Sequence, residues 1–346
     1  MEPKIQLDHE ILQLVAELDE FKGKWSAKSV LAPDRLQALR HVATIESIGS
    51  STRIEGAKLS DAEVDALLSG VKTYSFRSRD EQEVAGYAEA MGSVLANFSE
   101  IQLSENHIKQ LHTTLLKYSH KDERHRGDYK KFPNYVEAFD ADGKSLGVVF
   151  ETTKPFDTPG RMQDLVEWTN KALDERKLHP LLVIAVFVVH FLAIHPFQDG
   201  NGRLSRVLTT LLLLRAGYTY VPYSSFERVI EANKESYYLA LRRAQGTLSK
   251  GDSKLSEWLL FFLRCIQKQK AELEKKLERE TFLGKLPELS TQIVAFVKDR
   301  GRATISDIVT ITRENRNTIK AHLRELVRAG HLMPQGKGKG TWYTSS

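Results

Sequence analysis

Residues 181–194 read LLVIAVFVVHFLAI. A helix apolar on every side has no face to give to water, so protein has to cover it all round. The run is shorter than the roughly 20 residues that span a bilayer, and His190 interrupts it. The stretch therefore predicts a buried helix at the centre of a core, and the rest of the chain has to supply the cover. Amphipathic spacing does so at 8–20, 33–46, 60–70 and 79–98, and helices are expected again at 161–176, 203–216 and 231–245. Ser60 and Ser104 stand as N-caps before apolar runs. Residues 120–160 are rich in turn formers and hold two β-like runs, NYVEAF and LGVVFET, around an ADGK turn, which predicts a small hairpin.

The buried run ends in HPFQDGNGRLSR, residues 195–206. His195 closes the helix and can accept a proton near neutral pH. Asp199 lies in the loop, where a carboxylate could hold Mg²⁺ beside phosphate oxygens. Gly200, Asn201 and Gly202 lead into the next helix, and glycines there let backbone N–H groups approach an anion at a helix start. Arg203 and Arg206 are i, i+3 neighbours aimed at that anion. The order describes a phosphate cradle with a base at its lip. Zinc is a poor alternative. His190 and His195 lie about 140° apart around a helix, and the single cysteine, Cys265, leaves no Cys pair.

These twelve residues match the Fic-domain signature H-x-F-x-[D/E]-G-N-G-R-x-x-R at every specified position, and the chain resembles that family from about residue 40 to 250. The resemblance implies transfer of AMP from ATP to a protein Ser, Thr or Tyr hydroxyl, with release of pyrophosphate. It implies His195 as general base, Phe197 as a buried anchor and Asp199 as the Mg²⁺ ligand. It further implies nucleotide contacts from Gly200, Asn201, Gly202, Arg203, Leu204 and Arg206, with Arg203 on the β-phosphate and Arg206 on the γ-phosphate. The hairpin, within 134–155, resembles the family's flap, with 146–155 as the arm that pairs with a target peptide. Tyr238 is the match for a nucleotide-contacting tyrosine. Gln245 stands where some relatives carry a base-binding asparagine.

STRIEG, residues 51–56, matches the family's inhibitory signature [S/T]-x-x-x-E-[G/N]. Ser51 and Glu55 are i, i+4 on a helix that Gly56 is placed to end. The resemblance implies an inhibitory helix at about 45–56, in which Glu55 pairs with Arg206 and keeps ATP from binding productively. In some relatives the same glutamate positions a water that removes AMP. Removal of AMP, or transfer of another nucleotide, thus stands as the alternative reaction. A DNA-binding or toxin–antitoxin regulator that uses the nucleotide site as a sensor is the alternative class.

Residues 254–283 form one long helical pattern, apolar first and charged later. It reads as a solvated connector or as a pairing surface for a second copy, the connector being the plainer reading. The net charge of +5 is uneven, because residues 284–346 carry 11 Lys+Arg against 5 Asp+Glu. That segment reads as a winged helix: a helix, a short helix with Ser306 as a candidate cap, a basic helix, then strand, glycine-rich wing and strand. Arg313, Arg316, Asn317 and Lys320 would face a DNA groove, with Lys337 and Lys339 on the wing. A protein partner is the other reading of the same surface.

The expected architecture is mainly α: a Fic helical core with a β-hairpin flap, followed by an α+β winged-helix domain. The divisions are a helical region (1–110), the core (111–250), the connector (251–285) and the winged helix (286–346). The acidic, mixed N-terminus does not read as a signal peptide. With Cys265 alone, the expectation is a cytoplasmic chain without membrane contact, acting on a protein substrate that can include itself.

Overall fold

The computed structural model describes residues 5, 7–27, 33–70, 76, 78–139, 145–248, 254–285, 287–336 and 338–345. The expected central helix is α7 (Pro180–Ile194), reached through α1 (His9–Ala27), α2 (Pro33–Ile54), α3 (Asp61–Gly70), α4 (Arg79–Asn97), α5 (Glu105–Leu115), the strands β1 (Tyr135–Phe139) and β2 (Ser145–Glu151), and α6 (Thr158–Glu175). It is followed by α8 (Asn201–Arg215), α9 (Phe226–Glu231), α10 (Lys234–Gln245) and α11 (Leu255–Lys285). The remainder is α12 (Glu288–Arg300), β3 (Ala303–Thr304), α13 (Ile305–Thr312), α14 (Arg316–Arg328), β4 (Leu332–Gln335) and β5 (Trp342–Ser345). The chain divides into two units, Met1–Leu273 and Glu274–Ser346.

In the first unit Pro180 opens α7, where its missing N–H costs nothing. Every residue from Leu181 to Val189 is buried, against α6, α8 and α10 among others. Each such side chain contributes about 1.5–3 kcal/mol when withdrawn from water, so the end of α7 is a firm base for the loop beyond it. Burial also pushes His190 down to about 4, which keeps it neutral in the core. No described helix is long and apolar enough to cross a membrane.

Two expectations change. The start of α11 is core rather than solvated connector: Trp258, Leu259, Phe262, Leu263 and Ile266 are buried, and Trp258 Nε1 donates to the Ala185 carbonyl at 2.7 Å. The apolar half of the pattern also packs on α9 and α10, with Phe262 edge-on to Phe226 and Trp258 beside Tyr237. The helical stretches expected at 33–46 and at about 45–56 join as one helix, α2, which runs unbroken to Ile54. Gly49, Ser50 and Ser51 are weak helix formers, but they are buried and α2 packs on α9 and α4, so tertiary contact overrides propensity. Gly56 ends it at φ +105°, with Ala57 N–H donating to the Thr52 carbonyl at 3.1 Å.

The Ser60 and Ser104 caps are formed: each hydroxyl accepts from the N–H three residues on, Glu63 at 3.3 Å and His107 at 3.2 Å. Strands β1 and β2 pair antiparallel, Tyr135 opposite Glu151, with bulges after Val136 and Ala138. The ADGK turn lies outside the described residues.

The second unit packs α12, α13 and α14 with an antiparallel sheet in the order β3-β5-β4, around Ile293, Val297, Ile308, Ile319, Leu323, Leu326 and Leu332. The cap of α13 is Thr304, not Ser306: its hydroxyl accepts from Asp307 N–H at 3.3 Å while Asp307 Oδ2 takes Thr304 N–H at 2.8 Å. Thr304 wins because it precedes the helix in extended conformation, whereas Ser306 is already inside it. Arg313, at φ 57°, makes the turn into α14. Arg313, Arg316, Asn317 and Lys320 are all exposed. Lys337 and the Lys339 side chain lie outside the described residues.

Candidate active site

The site begins where α7 stops. His195 caps the helix in left-handed conformation (φ 52°, ψ 60°), its N–H donating to the Phe191 carbonyl at 2.8 Å. A non-glycine residue held there costs energy that surrounding contacts must meet. Those contacts are explicit. The Asn201 side chain grips both backbone groups of Phe197, accepting from its N–H at 2.9 Å and donating to its carbonyl at 2.8 Å. The Phe197 ring, fully buried, stacks on His112 with centroids 3.8 Å apart.

His112 carries no motif in the sequence, yet it organises the loop. Gly127 N–H donates to its Nδ1 at 2.9 Å, which leaves Nε2 to donate to the Asp199 carbonyl at 3.0 Å. Burial pushes His112 down to about 4, so the ring stays neutral and in that tautomer. The one available signal is its place on the buried face of α5, with Ile108, Leu111 and Leu115.

His195 Nδ1 lies 3.3 Å from the Leu192 carbonyl. A carbonyl can only accept, so Nδ1 carries the proton and Nε2 is the nitrogen free to take one. Burial pushes His195 down to about 4. The Leu192 carbonyl, Glu55 and Asp199 act against that shift, and Lys130 acts with it.

Gly200 sits at φ 79° and leads into α8. The first N–H groups of a helix have no partner inside it, which leaves those of Asn201, Gly202 and Arg203 to an incoming anion. Leu204 differs from its expectation. Its N–H is spent on the Gly200 carbonyl at 2.9 Å and its side chain is wholly in the core, so it has no group to offer a nucleotide.

Arg79, Glu83, Arg203 and Asp199 alternate in charge around a closed circuit. Glu83 meets Arg79 Nε at 2.7 Å and Arg203 Nη1 at 3.1 Å, and Asp199 meets the Nη2 atoms of Arg203 and Arg79, each at 3.3 Å. Burial acts to raise the Asp199 carboxyl, but Arg203, the Gly200 N–H and Arg79 outweigh it and hold it below the usual range. Among the described residues no cluster of three His, Cys, Asp or Glu is arranged to hold a metal. Magnesium commonly takes one or two carboxylates together with substrate phosphates and waters, so a lone ionised Asp199 fits an ion that arrives with a polyphosphate.

Arg206 is 2 % exposed and is held from α2. Its Nε donates to Ser51 Oγ at 2.7 Å, and its Nη2 to the Ser51 carbonyl at 2.9 Å and to Glu55 Oε1 at 2.8 Å. The Tyr237 hydroxyl adjoins the guanidinium, but Nη1 has no acceptor in hydrogen-bond geometry. Burial acts to raise the Glu55 carboxyl, and Arg206, Arg203 and His195 outweigh it, so it stays ionised. Glu55 lies over Gly202: a Cβ on Gly202 would stand 2.2 Å from Glu55 Oε1. Arg53 fixes this end of α2 by ion pairs to Glu231 at 2.7 Å and Asp61 at 2.9 Å. Tyr237 is buried against Trp258 and Phe261, whereas Tyr238, edge-on to Tyr237, is 40 % exposed. Gln245 is buried at the end of α10.

The structure thus brings together His195, Asp199, Gly202, Arg203, Arg206, Ser51 and Glu55. Sequence reasoning missed Arg79 and Glu83, which pair with Asp199 and Arg203 respectively, each from 120 residues away.

The Fic/DOC family profile matches residues 102–213. A second profile, described as a bacterial protein of unknown function (DUF977), matches residues 283–344. The chain is 28% identical over 265 residues to the protein adenylyltransferase Fic of Drosophila mojavensis, which covers 75% of this chain and 48% of that protein. It is also 28% identical over 239 residues to the Drosophila willistoni protein of the same description, covering 68% of this chain and 43% of that one. It spans about half the length of the curated relatives it matches. Among solved structures, a Fic family protein from Desulfovibrio desulfuricans superposes with a TM-score of 0.66 at 22% identity, over 100% of this chain and 98% of that one. A Fic domain containing signalling protein from Bacteroides thetaiotaomicron gives 0.60 at 24%, over 79% and 96%. The fold is Fic-like and mainly helical, with a small three-stranded sheet at the C-terminal end. The chain thus has a Fic-like region at 102–213, is distantly homologous to protein adenylyltransferases, and matches the DUF977 profile at 283–344.

Proposed function

We propose that this chain transfers AMP from ATP to a protein hydroxyl and is restrained by Glu55. The observation that carries this reading is the Glu55–Arg206 pair lying over Gly202 at the mouth of α8. A carboxylate there occupies ground suited to a phosphate oxygen, on an arginine that would otherwise face the nucleotide. With Glu55 withdrawn, Arg206 and the first N–H groups of α8 bind and orient the triphosphate, and Arg203 supports it from the Asp199 side. Asp199 would hold a magnesium ion, which when bound supplies charge neutralisation to the phosphates. His195 takes the proton of the attacking Ser, Thr or Tyr hydroxyl at Nε2 as the P–O bond to AMP forms and pyrophosphate leaves. A reaction of this type asks the protein mainly for placement and countercharge. Tyr238 is the candidate neighbour of the nucleotide. The distant adenylyltransferase relatives support this chemistry over a purely sensing role.

The test is intact-mass spectrometry of the Glu55→Gly protein after incubation with ATP and Mg²⁺. A gain of one AMP, absent when His195→Ala is added, supports the proposal. A folded Glu55→Gly protein that gains no mass on itself or on proteins of a lysate overturns it. Loss of AMP from a modified target on addition of wild type would instead favour the removal reaction.

A second reading concerns the C-terminal unit. Arg316, Lys320 and Arg324 recur every four residues along α14 and are exposed, with Arg313 at its entry. The line suits nucleic-acid phosphates. A gel shift that weakens as salt rises supports it, and the absence of any shift at low salt removes it.

A further inference from the structure

Lys130 is buried, and among the described residues no carboxylate partners its ammonium group. Nζ donates to Asn134 Oδ1 at 2.8 Å, Thr152 Oγ1 at 2.8 Å and the Ile194 carbonyl at 2.9 Å. All three acceptors are neutral, and the last belongs to the negative end of α7, where a cation is favoured. Asn134 precedes β1 and Thr152 follows β2, so they are the two roots of the hairpin. The Lys130 backbone N–H donates to the Pro196 carbonyl at 2.8 Å. One residue therefore holds the chain on both sides of His195.

The pattern extends further. Carbonyls 193 to 197 all accept from this region. Ala193 takes Thr153 N–H at 3.4 Å, Ile194 and Pro196 take Lys130, and His195 and Phe197 take Asn134 Nδ2 at 3.4 and 2.8 Å. A helix end normally leaves its last carbonyls to water or caps. Here the hairpin roots satisfy them, and with them the left-handed turn at His195.

We propose that Lys130 is a positioning residue for His195: it locks both roots of the β1–β2 hairpin to the main chain flanking that histidine, so that hairpin and base are set as one piece. The role rests on the reading of His195 as the base. It joins the surface that would meet a target to the atom that would take the target's proton. Lys130 also acts through charge. The groups facing His195 are Lys130, Glu55 and Asp199, with the Leu192 carbonyl on Nδ1. Lys130 alone among the charged ones favours the neutral ring. Burial pushes Lys130 itself down to about 8, so it is mostly charged at neutral pH.

The experiment uses the full chain. Lys130→Met and Lys130→Arg are placed in the Glu55→Gly protein, and AMP-transfer kcat and ATP affinity by calorimetry are measured. The His195 titration is followed by NMR in the otherwise wild-type chain. In Lys130→Met, kcat falls at least about tenfold while the ATP Kd stays within about threefold, because Arg203 and Arg206 are untouched. The His195 pKa rises by roughly one unit, and Lys130→Arg, which keeps the charge, reverses that rise. Thr152→Val, which frees one hairpin root and leaves the charge in place, lowers kcat severalfold without moving the His195 pKa.

The inference is overturned if folded Lys130→Met leaves kcat and the His195 titration as they were. It is equally overturned if kcat and ATP affinity fall together with the titration unmoved, since that is general loss of packing. Should Lys130→Met not fold, unchanged kcat in Thr152→Val overturns it. If the Glu55→Gly parent transfers no AMP, the functional reading fails, and the His195 titration, which needs no turnover, still decides the role of Lys130.

Discussion

Arg203 and Arg206 are three residues apart on α8 and both are almost wholly buried, but the two sides of the cleft they serve are built differently. Arg203 belongs to a closed circuit: Glu83 and Asp199 neutralise it, and Arg79 neutralises them in turn. Arg206 depends on one carboxylate, contributed from the end of α2. Two carboxylates from two elements hold Arg203, so displacing one leaves it paired, and under the proposed reaction the Arg203 side is scaffold. The Arg206 side is a contact that a single movement can exchange for another anion. The same residue type in the same helix turn thus serves stability on one side and choice on the other.

That contrast can be broken or sharpened experimentally. The largest effect is expected on the exchangeable side: adding Arg206→Ala to the Glu55→Gly protein lowers AMP transfer about 10²- to 10³-fold, measured by initial rates with labelled ATP. Glu55→Gly alone is expected to raise automodification about ten- to a hundredfold over wild type, in line with the loss of one charge-assisted hydrogen bond. Equal labelling of the two proteins would erase the proposed difference between the sides. Glu83→Gln is expected to behave in the opposite sense. It leaves Arg203 short of a charge partner, lowers stability by about 3 kcal/mol in urea unfolding and does not increase automodification.

The smallest expected effect is in pH. With His195 pushed down to about 4, the base is already deprotonated at neutrality. Removing Glu55 takes away a carboxylate that favours the protonated ring, so the shift deepens. The Glu55→Gly rate should therefore change less than about twofold between pH 8 and pH 6 and decline only as pH nears 4. A rate titrating near the ordinary histidine value of about 6.5 would show a base in a different setting.

The site was legible where chemistry is local in sequence. The run at 181–194 dictated a buried helix, the glycines and arginines of 195–206 announced an anion site, and Ser60 and Ser104 announced helix starts. The pairing of Glu55 with Arg206 could be named because both ends carry family signatures, not because spacing relates two positions 151 residues apart. Arg79 and Glu83 look like an ordinary surface i, i+4 pair until α4 packs on α8. His112 looks like any helix histidine, and Lys130 like a charge in a basic loop. Their roles come from tertiary contacts that propensity and periodicity do not encode. The helix through Gly49 and Ser50 was expected only from the family signature at 51–56, since burial and not composition keeps that turn helical. Leu204 shows the opposite failing: its motif position suggests a ligand role, while the helix claims its N–H and the core claims its side chain.

The room above the missing side chain of Gly202 is where the Glu55 carboxylate rests, and under the proposed reaction it is also where a phosphate oxygen would have to come. Restraint and catalysis then share one volume, and no side chain can be grafted at 202 to evict the first without obstructing the second. A lineage seeking a permanently active form would have to change residue 55 or its anchorage through Arg53, and a small anionic inhibitor would need only to imitate what the chain already places there.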